Sequence, residues 1–518
     1  MAGYTYERLS AQDASFLWAE GTNEPMHVGA VAIFETEPLG TPEGGIDITQ
    51  FRRAVESVLH WIPRYRQKLA WIPFEGWPIW VDDHQFELGY HIRHIALPHP
   101  GGPEQLKEMA ARIHARPLDR QRPLWEMWVI EGVEGGEQFA LLNKIHHCMI
   151  DGAAGADLSQ ILLSPSPRAE IGEPVPYMPR PAPTSVELLG DSVGRTLWRP
   201  VDAVRAGARA ARAAEEGAPG LEARLGALRD LAGFALRPAS ATPINGELGP
   251  HRRLDWLTMP LDDVKELRRA AGCTINDIVL ATVSAAVRRY MFRRRVDFKN
   301  LEFRVAAPVS TRKPGDEKLQ GNHVSTWIVP LPLEVEDPLA QLRTVRERTE
   351  SLKRSEASLA IDTVMQMAEW LPAPLLSLGV GLANGPANMI VTNVPGPQFP
   401  LYTVGSRLLG MYPLVPLLPG GGLGIALFSY EGRLCWGFNA DPQRVPDLPA
   451  FVDDVRTAFE ALRAAIVADF MARRTAAPES EHDTAPAVEP KGRAAKPARR
   501  TRSRPNGKRE RAPEAPTA

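Results

Sequence analysis

The sequence predicts a mixed α/β protein built as two compact regions on either side of a long connector. Three observations lead there. Of 518 residues, 44% are hydrophobic and 24% charged, the balance of a globular chain. Helix-period and strand-period segments recur on both sides of residues 164–183, where seven of twenty residues are proline. At roughly 150 residues per domain, the length allows two or three domains. The expected division is an N-terminal α/β domain over 1–163, a Pro-rich linker with amphipathic helices over 164–242, a C-terminal α/β domain over 243–473, and a disordered basic tail over 474–518.

In chain order, Leu106–Arg116 has helical spacing, and Leu124–Ile130 and Gln138–Ile145 read as strands joined by a turn at Gly135–Gly136. The proline-dense connector is excluded from helix interiors and central strands. Val186–Leu236, rich in Ala, Leu and Arg, is expected to form one or two amphipathic helices, packed between domains or laid on a lipid surface. Leu261–Ala271 and Ile275–Tyr290 read as helices, the second capped by Thr274. From Leu371 to Tyr430 the only charged side chain is Arg407. That stretch is too rich in Pro and Gly for a membrane helix, so it is core strands and buried loops, or the wall of an apolar tunnel. Val452–Met471 is the last expected helix, and the tail has too few large apolar residues to offset chain entropy.

The net charge of −2 hides a split. Residues 491–518 hold ten Lys/Arg against two Asp/Glu, a net of +8, which leaves 50 basic and 60 acidic residues, a net of −10, in the rest. An acidic body is not that of a nucleic-acid binder, and only the tail suits a polyanionic surface. Cys148, Cys273 and Cys435 offer neither a disulfide framework nor a CxxC metal spacing. The opening residues lack the basic-then-apolar order of a secretory signal, so a cytoplasmic setting is expected. GxSxG, phosphate-loop and dinucleotide fingerprints do not occur.

The run His146-His147-Cys148-Met149-Ile150-Asp151-Gly152 carries the chemistry. Extended alternation puts His147 on one face with Phe139, Leu141, Asn143 and Ile145, and His146 on the other with Lys144 and Leu142. Cys148 then points away from His147 and is expected as a small buried filler. Adjacent histidines on opposite faces do not suit one ion, so no metal is expected. A neutral imidazole suits a general base near pH 7. Asp151 followed by Gly152 suits a tight turn held by an ion pair. A purely structural histidine pair is the other reading of these residues.

The wider set of motifs resembles the bacterial wax ester synthase/diacylglycerol acyltransferase family, within the CoA-dependent acyltransferase superfamily. It runs through Leu9-Ser10-Ala11-Gln12-Asp13-Ala14, Pro25-Met26-His27-Val28-Gly29, Pro117-Leu118-Asp119, Pro123-Leu124-Trp125-Glu126 and His146–Gly152. Asn276-Asp277, Pro308-Val309-Ser310-Thr311-Arg312, Gly321-Asn322 and Asn393-Val394-Pro395-Gly396-Pro397 complete it. The DFGWG signature of plant-type acyltransferases is missing, its nearest segment being Cys435-Trp436-Gly437-Phe438. The resemblance implies two chloramphenicol-acetyltransferase-like domains with mixed sheets and an active-site channel between them. It implies His147 as general base, His146 in orientation, Asp151 in a structural ion pair with Arg312 as candidate partner, and Gly152 in the turn. Asn276 would donate a hydrogen bond near the reacting centre beside Asp277, with Pro123, Leu124 and Trp125 as structural support. The implied substrates are acyl-CoA and diacylglycerol or a long-chain fatty alcohol, giving triacylglycerol or wax ester. No cofactor is implied, and no specific nucleic acid. The setting would be cytoplasmic, peripheral to the inner membrane or to lipid inclusions. Two alternatives stay open at this point: a polyketide- or diol-lipid acyltransferase fed by a carrier protein, and a noncatalytic lipid-droplet binding protein.

Overall fold

The computed structural model describes residues 6–42, 44–150, 161–168, 171–194, 239–310, 324–354 and 387–476. The chain divides into residues 1–470 and 471–518, and the described part of the second unit is one helix end. The first half of the chain forms strands β1 (Glu7–Arg8), β2 (His27–Glu35), β3 (Gln67–Trp71), β4 (Pro78–Asp82), β5 (Ile92–Ala96), β6 (Trp125–Val133) and β7 (Gln138–His146). Its helices are α1 (Ala11–Ala19), α2 (Ile48–Val58), α3 (Leu88–His91) and α4 (Pro103–His114). The second half has β8 (Arg253–Pro260), β9 (Phe303–Ser310), β10 (Val324–Leu331), β11 (Met389–Pro395), β12 (Tyr402–Thr403), β13 (Ser406–Leu414), β14 (Leu423–Tyr430) and β15 (Arg433–Ala440). Its helices are α5 (Leu261–Ala271), α6 (Ile275–Arg293), α7 (Pro338–Arg354) and α8 (Leu448–Ala476).

Two six-stranded mixed sheets and one small sheet organise these elements, so the mixed α/β class expected from the sequence is the class found. The first large sheet runs β12-β13-β2-β7-β6-β5, and only its β5–β6 edge is parallel. The second runs β10-β9-β11-β14-β15-β8, with a parallel centre at β9-β11-β14. The small sheet is β1-β4-β3. The first large sheet has a core on each face: Phe34, Phe139, Leu141 and Ile145 on one, Val31, Ala140 and Leu142 with α4 on the other. The second sheet is covered by α5, α6, α7 and α8.

Local signals in the sequence explain several boundaries. Thr274 caps α6: its Oγ1 accepts from the Asp277 amide at 3.2 Å, while Asp277 Oδ2 accepts from the Thr274 amide at 2.9 Å. α6 runs on through the buried Met291 to Arg293, three residues past the expected end. α5 stops at Gly272, whose φ of 64° an L side chain adopts only with strain. Within the charge-poor stretch, β11 and β14 lie side by side at the centre of the second sheet. Ile425 and Leu427 there are fully buried. A strand covered on both faces has no place for charge. Residues 371–386, and 195–236 of the expected amphipathic segment, lie outside the described residues. Among the described residues no single helix is long and apolar enough to cross a membrane.

Sheet membership does not follow chain order. β13, from the second half, pairs antiparallel with β2 in the first sheet, from Leu408 opposite Phe34 to Leu414 opposite Gly29. Its other neighbours are β14 and β15 of the second sheet. Trp256 stacks on Tyr412 at 5.3 Å, and Asn439 Nδ2 donates to the Val415 carbonyl at 2.9 Å. The closest approach is at Gly437, where an added Cβ would sit 1.9 Å from the Pro413 carbonyl oxygen. Glycine is required because β15 and β13 meet there backbone to backbone. Gly437→Ala is therefore expected to destabilise the protein by about 2–4 kcal/mol, an overpacking cost with no flexible neighbour to absorb it. Urea denaturation would measure it, and an unchanged midpoint would remove the claim.

Candidate active site

The two histidines lie where β7 ends. His146 faces His27 of β2 in the ladder, and its amide donates to the Leu124 carbonyl at 2.9 Å. The next amide keeps the β2 register: His147 N donates to the Met26 carbonyl at 2.8 Å, and His147–Met149 then close a short 3-10 turn. Strand alternation gives way where that turn begins, at His147. This corrects the expected placement of Cys148 opposite His147 across an extended chain. Cys148 is the buried filler expected, but it packs in the same core cluster as Phe139, Leu141 and Ile145. Burial pushes its thiol well above the usual range, so it stays protonated.

His147 is half-buried and stacks on Phe16 of α1, with ring centroids 3.8 Å apart and planes 21° apart. Its Nδ1 is enclosed and finds no hydrogen-bond partner among the described residues. Nε2 is the nitrogen left to meet a reactant. Burial pushes this imidazole down to about 4, and the neighbouring His146 adds to the shift. At neutral pH the ring is uncharged and can accept a proton.

His146 is fully buried. Its Nδ1 accepts from the Cys148 amide at 3.2 Å and lies 3.0 Å from Cys148 Sγ. Its Nε2 lies 3.5 Å from Glu20 Oε1, an ion-pair distance rather than a close hydrogen bond. Glu20 follows the last turn of α1. Its Oε1 accepts from the Met26 amide at 3.1 Å, and its Oε2 accepts from Arg120 Nε at 3.0 Å and from a second guanidinium nitrogen at 2.6 Å. Burial alone would raise the Glu20 carboxyl, but His146, Arg120 and the Met26 amide outweigh it and hold it down to about 2. Phe16, Glu20 and Arg120 went unseen in the sequence and Met26 was read only as part of the Pro25–Gly29 motif, since the pairing of Glu20 with His146 spans the chain between two separate motifs.

Beneath His146, the same face of β7 carries a buried polar layer. Lys144 Nζ donates to the carbonyls of Ile113 at 3.1 Å and Arg116 at 2.7 Å, closing the C-terminal end of α4. Burial lowers its ammonium to about 8. His27 Nε2 meets the His114 carbonyl at 2.7 Å, and burial pushes His27 far down and His114 down to about 3. On the opposite face, Leu141 and Asn143 line an apolar pocket with Ala32, Phe34, Met127 and Met411. It is small, with an enclosed volume of about 20 Å³.

The remaining expected site residues separate. Pro123, Leu124 and Trp125 are buried and support the motif from β6. Leu124 supplies the carbonyl that holds His146. Trp125 Nε1 donates to the Tyr65 carbonyl at 2.8 Å, and the ring stacks on His91 at 4.6 Å. Asn276 is exposed at the start of α6, and its Oδ1 accepts from Asn393 Nδ2 at 2.8 Å. What it has left to offer is its NH₂ donor. Asp277 is occupied structurally: besides the α6 cap, its Oδ1 accepts from Thr349 Oγ1 at 2.8 Å. Among the described residues no hydrogen bond joins Asn276 or Asp277 to the histidine pair, and none groups three His, Cys, Asp or Glu side chains as a metal site. Asp151, Gly152 and Arg312 lie outside the described residues.

Comparison with known proteins places this geometry in a family. Residues 9–279 match the wax ester synthase/diacylglycerol acyltransferase catalytic domain, and residues 320–463 match the C-terminal domain of the same family. A Mycobacterium tuberculosis protein named as a probable diacylglycerol O-acyltransferase, tgs1, is 35% identical over 450 residues, covering 85% of this chain and 92% of the relative. A second from that organism, tgs2, is 32% identical over 470 residues, covering 88% and 99%. The solved wax ester synthase/diacylglycerol acyltransferase of Marinobacter aquaeolei VT8 superposes with a TM-score of 0.62 at 24% identity, over 89% of this chain and all of that one. The first condensation domain of the calcium-dependent antibiotic synthetase shares the fold, with a TM-score of 0.54 at 17% identity over 89% and 96%. On the family models and the curated relatives together, the chain belongs to the wax ester synthase/diacylglycerol acyltransferase family.

Proposed function

We propose that the protein transfers a long-chain acyl group from acyl-CoA to the hydroxyl of diacylglycerol, forming triacylglycerol and free CoA. The observation that carries the reading is the half-buried, neutral His147 imidazole at the end of a strand whose Leu141 and Asn143 line a small apolar pocket. His147 Nε2 takes the proton from the acceptor hydroxyl as its oxygen attacks the thioester carbonyl. The tetrahedral oxyanion needs a fixed donor, and the NH₂ of Asn276 is the candidate among the residues read from the sequence. As the C–S bond breaks, the protonated imidazole returns its proton to the departing thiolate. The thioester is already activated, so the reaction needs no cofactor or metal. Greasy substrates place the enzyme at a membrane or lipid-droplet surface, on the cytoplasmic side. Neither a carrier-protein donor nor a noncatalytic lipid-binding role is favoured, given how much of the chain the two family models cover.

Three outcomes test the reading. His147→Gln is expected to lower kcat for palmitoyl-CoA and a diacylglycerol by about 10²–10⁴-fold, with circular dichroism and Tm unchanged. Wild-type turnover by the folded variant would refute the base. The pH dependence of kcat/KM reports the same ring. The base works only when unprotonated, so the acid limb is expected near the buried value of about 4, not near the 6.5 of an ordinary imidazole. A limb centred at 6.5 would contradict the buried environment. Finally, CoA release measured by thiol trapping is expected to be faster with dipalmitoylglycerol than with hexadecanol. The reverse order would make the enzyme a wax ester synthase first.

A further inference from the structure

Glu20 is a buried carboxylate, 7% exposed, that no step above uses, and it touches the motif along two routes. On the first, Glu20 Oε1 holds the Met26 amide at 3.1 Å, and the carbonyl of the same Met26 holds the His147 amide at 2.8 Å. On the second, Glu20 Oε1 lies 3.5 Å from His146 Nε2. His146 Nδ1 faces two donors, the Cys148 amide and the protonated Cys148 thiol. A nitrogen that accepts carries no proton, so the ring proton of a neutral His146 sits on Nε2, toward the Glu20 carboxylate. Glu20 thereby sets the tautomer in which His146 can cap the turn bearing His147. Arg120 fixes the carboxylate in turn: beyond its two bonds to Glu20 Oε2, it donates to the Leu17 carbonyl in the last turn of α1 at 2.9 Å. The same helix supplies Phe16, stacked on the His147 ring.

We propose that Glu20, clamped by Arg120, is a positioning residue for acyl transfer, which holds the His147 turn in register through Met26 and through the tautomer of His146. It touches no substrate. The inference rests on His147 as the base, and it adds a residue from α1 to the reaction. The loss it protects against is geometric: a displacement near 1 Å at a reacting group costs on the order of 10²-fold in rate.

The test uses the full-length protein with palmitoyl-CoA and dipalmitoylglycerol. Glu20→Gln keeps an oxygen for the Met26 amide and loses the charge that faces His146 and Arg120. Its kcat is expected to fall by about 10–100-fold while KM for palmitoyl-CoA stays within about twofold, because positioning acts on the chemical step. Glu20→Ala removes both routes and is expected to fall further. In the His146→Gln background, Glu20→Gln is expected to lose little more, since its effect has already been removed. Wild-type kcat in folded Glu20→Gln, or losses that multiply in the double variant, would overturn the proposal. A second measurement needs no altered Glu20. With ¹⁵N-labelled histidine, of which the chain has 12, the signal that His146→Gln removes is expected to show a protonated Nε2 and a bare Nδ1. A protonated Nδ1 in neutral His146 would also overturn it. Full activity of His147→Gln would instead sink the functional reading itself, so the two failures are distinct.

Discussion

The site depends on how one strand is made to end. β7 lies between β2 and β6 along its length, and its last two amides are held from different sides. His146 bonds to Leu124 at the entry to β6, and the next residue, His147, bonds to Met26 at the entry to β2, each in the register of the strand it meets. A ladder would have continued the alternation and turned successive side chains to opposite faces. Past His147 the ladder stops: His146 Nδ1 takes the Cys148 amide, and the chain closes into a tight 3-10 turn against α1. The imidazole of His147 owes its place to that bend, and its neighbours follow from it: Phe16 under the ring, Cys148 in the core, and Glu20 beside His146.

The two faces of β7 do different physical work. On one, aliphatic and aromatic side chains build a core that opens into an apolar pocket. On the other, a lysine and three histidines are buried around the end of α4. Such groups are expensive to bury unless paired, and Lys144 and His27 meet backbone carbonyls rather than opposite charges. Lys144 serves the last turn of α4, where its charge complements the helix dipole. The result is a rigid polar seam under the motif. Desolvation keeps the His27, His114 and His147 imidazoles neutral over the physiological range, without a carboxylate partner on His147 among the described residues.

Much of the fold was legible because it was written in local terms. The bounds of α5 follow from its periodic apolar face and Gly272, and the start of α6 from the Thr274 cap. The strands around the histidine motif were equally readable from alternation. The motif itself pointed to a base through residue type and position. Three things were not legible. The 3-10 turn at His147 is capped by the His146 side chain, whose Nδ1 takes the Cys148 amide, a side-chain bond that strand alternation does not encode, so alternation misplaced Cys148. Glu20 carries no signal of its own, since an acid at the end of a short helix is ordinary until Arg120 and His146 arrive beside it. Asp277 looked chemical by its neighbour Asn276 but is spent on capping α6 and meeting Thr349. The charge-free stretch was ambiguous for a related reason: a strand buried on two faces and a tunnel wall call for the same side chains.

The placement of β13 bears on how the molecule assembles. Leu414 pairs with Gly29 across about 385 residues of chain, a loop closure that local structure cannot shortcut. While the polypeptide emerges from the ribosome, β2 therefore waits with one edge unmatched until nearly the whole sequence has been made. An open strand edge is a template for pairing with foreign chains, so the early half of the nascent protein is its period of greatest exposure to aggregation. Once β13 arrives, the same ribbon completes the first sheet and rests against the second, so neither half closes without the other.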